Sequence, residues 1–432
     1  MEAGQTGWID AAAAAERLGV KTATLYAYVS RGVLTRRHAP DGNRSLFNAA
    51  EVEALARRGR PRHRPGPSDL AIESAVTRIG ADRPYYRGHD AIELATSERF
   101  EDVAELLWTG ALPDQGSASV PWQPSAEAVR TAIAAQSGLR PDALPIDRLA
   151  LIVAAHGVSD PMRFQLDPEA VTATGRMLIA GMVAALPNAD GSAHSEAPNH
   201  SAHSEAPDHS ARDAALGQSA PGHIAAALWP KLSATAPTPT QAATLEAALI
   251  LLADHELAAS TLAARVAASV EADPYAVVMA GLGVLTGPKH GGAALAAERM
   301  LAATADPADA ARVIAERLRS GERIPGLGHM VYKTGDARGI TLMNLVRTAW
   351  PDSARLAVAE ALVSERSVRR LPTLNIDFAL AAFGATAGLV PGAGQAIFAI
   401  ARTAGWLAHA LEEYQRQSPL RPRAVYVGPD SD

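Results

Sequence analysis

The stretch IPGLGHMVYKTGDAR occupies residues 324–338, where three glycines and one proline surround a single histidine. A second glycine-rich turn, GPKHGGAA at 287–294, also carries one histidine, and LPTLNIDF at 371–378 is a proline-led extended stretch that ends on a carboxylate. ADHELAAST at 253–261 is a fourth segment that stands out, without glycine or proline. Around them the pattern is helical. Apolar residues recur with 3.6-residue spacing over 91–109, 126–135, 171–186, 240–269, 275–285, 293–304, 308–320, 337–349, 354–363, 377–386 and 393–413, with few alternating β-branched runs, so the fold class is mainly α. Residues 378–401 contain no charge over 24 positions, but Gly384, Gly388, Pro391, Gly392 and Gly394 interrupt them. That punctuation predicts two buried helices meeting near 389–394 and argues against a membrane span.

A chain of 432 residues has room for about three domains at roughly 150 residues each. With 48% apolar and 20% charged residues, it is neither disordered nor membrane-like in composition. The absence of cysteine excludes disulfides, a thiol nucleophile, thiolate zinc sites and cysteine-held iron–sulfur clusters. Catalysis falls to His, Asp, Glu, Ser, Lys or a bound cofactor. The formal charge of -6 is an average over two regions: residues 1–66 hold 11 Lys and Arg against 6 Asp and Glu, leaving 29 against 40 for the rest. The N-terminus MEAGQTGWID lacks a basic region followed by an apolar run, so no targeting peptide is expected and the cytoplasm is the default compartment.

Residues 1–56 read as three short helices with a hairpin between the last two. The helices are expected over 10–18, 22–30 and from Asn48 through 55, with Thr22 and Asn48 as caps, Gly32 as a stop, and Arg36, Arg37 and Arg44 on a basic wing that turns at Asp41-Gly42. RRGRPRHRPGP at 57–67 is a cationic linker, extending to 77. Within the body, 187–217 breaks the helical pattern with a tandem repeat, SAHSEAPNH at 192–200 and SAHSEAPDH at 201–209. Its four histidines suggest a metal tract, but nothing beside them would hold a coordination geometry, and the segment reads as a duplicated, disordered loop inserted between helices.

Phosphate-loop, dinucleotide and nucleophile-elbow motifs are absent. What remains is two histidines and an aspartate on loops, a set suited to removing a proton next to a carbonyl. A carboxylate takes the proton, one neutral imidazole holds the enolate oxygen, and a second polarises an electrophilic carbonyl. Each residue alone also has an ordinary reading, a hydrogen-bonded loop histidine or, for Asp377, a helix N-cap. The adjacent glycines allow the backbone to approach a ligand closely. Arg338, Arg402 and Arg421 stand where guanidiniums could clasp carboxylates through paired hydrogen bonds.

At these residues the sequence resembles the citrate synthase family. GPKHGGA is similar to that family's Gly-Pro-x-His-Gly-Gly-Ala turn, PGLGHMVYKTGDAR to its Pro-Gly-aromatic-Gly-His…Asp-Pro-Arg signature, and LNIDF to its Asn-Val-Asp-Phe segment. YYRGHDAIELA (85–95), ADHELAAST, ARTAGWLAHALEE (401–413) and RPRAVYVG (421–428) also resemble family segments, the third and second as helices and the last as a C-terminal strand. The likeness spans about residues 78–428, in family order. It implies that Asp377 deprotonates the acyl-CoA methyl group, His290 holds the enol oxygen and His329 polarises the ketone of oxaloacetate. It further implies that His255, Arg338, Arg402 and Arg421 bind carboxylates, Arg421 across the interface of a homodimer, and that Pro325, Gly326, Leu327 and Gly328 lie against coenzyme A. No metal or cofactor is implied beyond acyl-CoA as co-substrate. The implied body is a large helical domain (78–286 and 387–432) and a small one (287–386) that closes over substrate. The implied activity is an acyltransferase that joins acetyl-CoA, or a short acyl-CoA such as propionyl-CoA, to oxaloacetate.

Four positions depart from the family pattern. Ala258 and Ala294 replace asparagines, Ala337 a proline and Leu327 an aromatic residue, changes expected to touch affinity or acyl preference while the reaction type stands. KTATLYAYVSRGVL (21–34) resembles the second helix and turn of excisionase-like and MerR-like winged helix-turn-helix modules. Lys21, Thr22, Thr24, Tyr26, Arg36, Arg37 and Arg44 are its candidate DNA contacts, with residues 1–66 as the binding region. A rival expectation is therefore a transcription regulator whose synthase-like body senses oxaloacetate or acyl-CoA. Retention of the enolising Asp377 favours the enzyme.

Overall fold

The computed structural model describes residues 7–18, 20, 22–30, 32–39, 45–57, 72–113, 122–192, 223–422 and 428. The chain forms two compact units, Met1–Glu73 and Ser74–Asp432.

In the first unit, β1 (Trp8–Asp10), α1 (Ala11–Leu18), α2 (Thr22–Ser30), β2 (Arg36–His38), β3 (Ser45–Asn48) and α3 (Ala49–Arg57) follow in order. The strands form an antiparallel sheet ordered β1-β3-β2, with Arg37 opposite Leu46 and Ile9 opposite Phe47. Asp10 caps α1 by accepting the Ala13 N–H at 2.8 Å, and Asn48 caps α3 by accepting from Ala50 and Glu51 at 3.0 and 3.3 Å. Ala14, Leu25, Tyr28, Leu34, Phe47 and Val52 make its core. The three helices and the pairing of β2 with β3 agree with the sequence reading. Strand β1 does not figure in it, because three residues carry no measurable period. The Asp41-Gly42 turn, Lys21 and Arg44 lie outside the described residues, as do 58–71 of the linker. The linker ends before 77: Val76 is buried, the Ala75 N–H donates to Glu412 at 2.7 Å, and Thr77 already opens a strand.

The second unit starts with a small antiparallel sheet of β4 (Thr77–Ile79), β5 (Pro84–Tyr86) and β6 (His89–Asp90). It continues with α4 (Ala91–Ser97), α5 (Phe100–Thr109), α6 (Ala126–Ala135), α7 (Pro145–Ser159), α8 (Pro168–Ala184), α9 (His223–Leu232), α10 (Pro239–Leu252), α11 (Ala259–Ala268), α12 (Pro274–Leu285) and α13 (Gly292–Ala303). After a 3-10 turn at Pro307–Asp309 come α14 (Ala310–Arg319), α15 (Ala337–Ala349), α16 (Ala354–Val368), α17 (Ile376–Ala387) and α18 (Ala393–Arg416). The mainly α reading holds. Helix α18 is the axis, buried along nearly its whole length and packed against α5, α7, α8, α10, α11 and α12. Small residues permit this. A Cβ on Gly405 would sit 2.3 Å from Asp254 Oδ1, and one on Gly281 of α12 would sit 2.6 Å from the Trp406 ring.

The chain turns between α17 and α18 with Gly388 and Gly392 in left-handed backbone, as the glycines predicted. Among the described residues no helix is long and apolar enough to cross a membrane. Two expected helices are each broken in two. The 91–109 stretch stops at Ser97 and restarts at Phe100. The 240–269 stretch stops at Leu252 and restarts at Ala259, because Asp254 accepts the Glu256 N–H at 3.0 Å and Glu256 adopts a φ of 53°. Carbonyls freed at this break are used elsewhere. The Tyr86 hydroxyl meets those of Ile250, Leu251 and Asp254 at 3.1, 3.3 and 3.1 Å, and the Gly405 N–H donates to Ala253 at 3.1 Å. ADHELAAST is thus a loop leading into a helix, anchored by the buried Ala253 and Asp254, and the loop presents His255. Helices α7 and α9 were absent from the periodicity reading, although α7 opens with proline at a favourable first-turn position. Residues 193–222, which include all of the histidine repeat (192–209) but Ser192, lie outside the described residues.

Candidate active site

Glycine geometry sets the loop that carries His329. Gly326 has a φ of 78° and Gly328 one of 81°, and a Cβ on Gly326 would lie 2.6 Å from the Phe378 Cβ. The loop is laced to the stretch before α17. The Gly328 N–H donates to Thr373 O at 2.7 Å and the Asn375 N–H to Gly326 O at 2.9 Å, around a bridge between Leu327 and Leu374. The Asn375 side chain completes the joint. Its Nδ2 donates to Gly328 O at 2.8 Å, while its Oδ1 accepts from the N–H groups of Asp377 and Phe378 at 3.0 and 3.3 Å. Asn375 is therefore the N-cap of α17, and Asp377 is a first-turn residue with its carboxyl free of capping duty. Burial pushes that carboxyl up to about 7; the Asp336 carboxylate adds to the rise, and the charges on Arg338 and Arg402 oppose it.

His329 receives two backbone donors at Nδ1, from Val331 at 3.1 Å and Tyr332 at 3.3 Å. Arg338 Nη2 also lies 3.5 Å from Nε2, but that contact is longer than the two backbone bonds to Nδ1, so Nδ1 is the acceptor and the neutral ring holds its proton on Nε2. Burial, helped by the Arg338 charge, brings its pKa down to about 4, which keeps it neutral at pH 7. Arg338, at the start of α15, is buried and clasped by Asp336 through Nε and Nη2, both at 2.9 Å. Asp336 also caps α15, accepting the Arg338 N–H at 3.2 Å, and takes the Ile376 N–H at 3.1 Å. Burial alone would raise the Asp336 pKa, but Arg338 holds it below the usual carboxylate range. This carboxylate thereby compensates Arg338 and ties α15 to the start of α17.

His255 reaches the same place from the α10–α11 break. Its Nε2 is 2.9 Å from the Tyr332 hydroxyl, and its ring stands edge-on to His329 with centroids 5.3 Å apart. Burial, with the charges of Arg338 and Arg402, holds it well below the usual histidine range. His290 precedes α13 in a tight turn, where a Cβ on Gly291 would meet Leu285 O at 2.6 Å. Its Nε2 is 2.7 Å from Ser260 Oγ on α11; burial and then the Arg402 charge bring it down to about 4. Arg402, on α18, donates from Nε to Leu252 O at 2.9 Å, while its buried Nη1 has no hydrogen-bond partner among the described residues. Arg338 is thus paired with a carboxylate, whereas Arg402 keeps a buried donor without a partner among the described residues.

The structure thus gathers His255, His290, His329, Arg338, Arg402 and Asp377 into one electrostatically connected site. Pro325, Gly326, Leu327 and Gly328 form the loop next to it. Arg421 does not join: it is exposed, and among the described residues it makes no hydrogen bond or ion pair with the six. Ser260, Tyr332, Asp336 and Asn375 were missed as site residues, although all four lie within the motifs quoted from the sequence. The signal for Asp336 was its place two residues before Arg338; for Asn375, its place two before Asp377. Ala258 stands at the N-cap of α11 without a side-chain bond, and Ala294 is buried. Among the described residues no group of three or more His, Asp or Glu is placed to hold a metal. Chemically, the site offers neutral imidazole donors, a carboxyl titrating near neutrality and two buried cations. In the first unit, Thr22, Tyr26, Arg36 and Arg37 are exposed and Thr24 half-buried. The Arg37 guanidinium lies 4.2 Å over Trp8, and that of Arg36 lies 5.7 Å from the Tyr26 ring centroid.

Comparison with known proteins extends this picture over most of the chain. Residues 68–423 match the family model described as citrate synthase, C-terminal domain. Citrate synthase 2 of Bacillus subtilis is 30% identical over 84% of this chain and 94% of its own. The 2-methylcitrate synthase of Shewanella oneidensis is 30% identical over 83% of this chain and 92% of its own. Among solved structures, citrate synthase from Thermotoga maritima superposes with a TM-score of 0.66 at 25% identity, covering 84% of this chain and 95% of that one. The citrate synthase of Thermoplasma acidophilum, solved with carboxymethyl coenzyme A and oxaloacetate, shares the fold at a TM-score of 0.66 and 22% identity, over 85% and 96% of the two chains.

Proposed function

The chain belongs to the citrate synthase family, and from this premise we propose that it condenses acetyl-CoA or propionyl-CoA with oxaloacetate to give citrate or 2-methylcitrate and free CoA. It is a citrate synthase-type enzyme. Asp377 removes a proton from the acyl carbon next to the thioester, and the enolate oxygen is held by His290. The enolate carbon attacks the ketone carbon of oxaloacetate, whose oxygen takes a hydrogen bond and then a proton from Nε2 of His329. Water next cleaves the thioester, releasing CoA. His255, Arg338 and Arg402 bind the carboxylates, with Arg421 supplied by the second subunit of a homodimer; Pro325 to Gly328 line the coenzyme A. Closure of a small domain (287–386) on a large one (78–286 and 387–432) keeps bulk water from the enolate.

The observation that carries this reading is Asn375, one side chain that fixes both the residue before His329 and the backbone of Asp377. An acid near neutrality and a neutral imidazole donor, set on two loops stitched together, suit proton abstraction followed by carbonyl polarisation. The relatives bear both citrate and 2-methylcitrate synthase names, and one methylene in an apolar pocket is worth about 1–3 kcal/mol. Thiol release from acetyl-, propionyl- and butyryl-CoA with oxaloacetate tests catalysis and acyl choice together. Asp377→Ala abolishes that release; unchanged release sinks the assignment. The proposed compartment is the cytoplasm.

For the first unit we propose a winged helix-turn-helix that contacts duplex DNA through Thr22, Thr24, Tyr26, Arg36 and Arg37, joined by Lys21 and Arg44. Supporting this is strand β2, whose two arginines are exposed and steadied over aromatic rings. Retardation of labelled DNA should weaken steeply with salt and disappear when Arg36 and Arg37 are replaced by alanine. Retardation that survives in the double variant removes these contacts.

A further inference from the structure

Tyr332 stands between the two histidines assigned to oxaloacetate, and each of its parts touches one of them. Its ring stacks on His329 with centroids 4.7 Å apart and planes at 25°, and its own N–H is one of the two donors to His329 Nδ1. The hydroxyl reaches His255 Nε2 at 2.9 Å, with the ring edge-on to that imidazole at 85°. The Arg338 guanidinium lies 5.4 Å from the ring centroid, and the side chain is buried. Among the described residues the hydroxyl has no hydrogen-bond partner other than His255.

A buried phenol needs an acceptor for its proton. Because His255 Nε2 is the one partner present, the hydroxyl donates to it, and the neutral His255 ring must carry its proton on Nδ1. The two histidines then have opposite tautomers. His329 carries its proton on Nε2, 3.5 Å from Arg338 Nη2, and His255 carries its own on Nδ1, so each has an N–H to offer a ligand. We propose that Tyr332 is a positioning residue that fixes the ring planes and proton positions of both histidines, so that the keto diacid meets two preset N–H donors. Without the hydroxyl, His255 is free to exchange its proton between nitrogens and to turn about its side-chain bonds. Without the ring, His329 loses the surface against which it is stacked.

This rests on the synthase reading, and the test separates the two. Tyr332→Phe keeps the stack and removes the hydroxyl; it should raise KM for oxaloacetate about ten-fold, the order expected when a buried imidazole loses its partner, with KM for acyl-CoA and kcat little altered. Tyr332→Leu removes the stack as well and should lower kcat in addition. Combined with His255→Ala, Tyr332→Phe should add nothing to the oxaloacetate KM. An unchanged KM in Tyr332→Phe, or an equal rise in the His255→Ala background, overturns the proposal. A full-length protein that releases no thiol from either acyl-CoA overturns the synthase reading instead. In that case ¹⁵N shifts of the imidazoles decide the proton positions: Nδ1 protonated on His255, and lost in Tyr332→Phe, is expected, and Nε2 protonated refutes it.

Discussion

Replacing Asp377 by asparagine should cost the enzyme its activity and make the protein more stable, by an amount that grows with pH. Its carboxyl shifts from 3.8 to about 7 on folding, mainly through burial. A carboxyl raised in the folded state is held there more readily as the acid. Below pH 3.8 it is protonated in both states and costs nothing. Between pH 3.8 and about 7 the unfolded chain ionises while the folded carboxyl stays protonated, so stability is lost over that window and the loss levels off above it. At about 1.4 kcal/mol per pH unit the penalty is about 2 kcal/mol at pH 5 and about 4 kcal/mol at pH 8. Asp377 keeps some contact with solvent, so these are upper figures. Asparagine has nearly the same shape and no charge, and escapes the penalty. Thermal melts of Asp377→Asn and the unaltered protein should therefore diverge from pH 5 to pH 8, with the variant higher. Over the same range, kcat/KM of the unaltered enzyme should climb with an apparent pKa near 7 as the base ionises. Parallel melts at all pH values, or a variant that melts lower at pH 8, would refute the assignment of a buried, strained carboxyl.

Ser260→Ala leaves His290 without its 2.7 Å partner and should lower kcat by about ten-fold, the order of one lost hydrogen bond to a buried group, while the oxaloacetate KM stays within two-fold in steady-state assays, roughly the scatter of one. Arg338→Gln and Arg402→Gln should part company. The first leaves the buried Asp336 unpaired and should cost about 3–5 kcal/mol in denaturant unfolding, whereas the second removes a guanidinium whose Nη1 has no partner and should show mainly as a raised oxaloacetate KM. Gly326→Ala forces a Cβ to 2.6 Å from Phe378 and asks alanine for a φ of 78°; both a lower melting temperature and a lower kcat should follow, and unchanged values for both would show that the loop has room to shift.

The sequence disclosed the helices with strong period and the residues with chemistry, and it disclosed little of what joins them. His290, His329 and Asp377 stood out because glycine and proline set them apart from the amphipathic pattern, and His255 because ADHELAAST resembles a family segment. Asp336, Ser260 and Asn375 carried no such mark. A serine inside an alanine-rich stretch reads as an ordinary helix residue until His290, thirty positions later in the chain, is found at its hydroxyl. Asp336 pairs locally with Arg338, but its bond to the Ile376 N–H spans 40 residues, a separation no local pattern records. The break after Leu252 was hidden for a related reason. Its apolar spacing continues through the loop, and the groups that satisfy the freed carbonyls, Tyr86, Arg402 and Gly405, all lie far away in the chain.

That break shows how the fold supplies the site. A continuous helix from 240 to 269 would have bonded its own carbonyls and left Tyr86 and Gly405 without the partners they have. By stopping at Leu252, the chain releases the Leu252 carbonyl to orient Arg402 and swings His255 out of the helical path toward Tyr332. Restarting at Ala259 then sets Ser260 beside His290. Three site residues on three different elements are thus aimed by one interruption of about six residues, and the left-handed Glu256 is the local strain that goes with it. The same economy appears at Asn375, where a single cap holds the Gly328 carbonyl and starts the helix bearing Asp377. Arg402 and the loop before His329 are therefore held through backbone at a helix end or helix break, where unpaired N–H and C=O groups are available and where a displacement of one loop is resisted by the helix it caps.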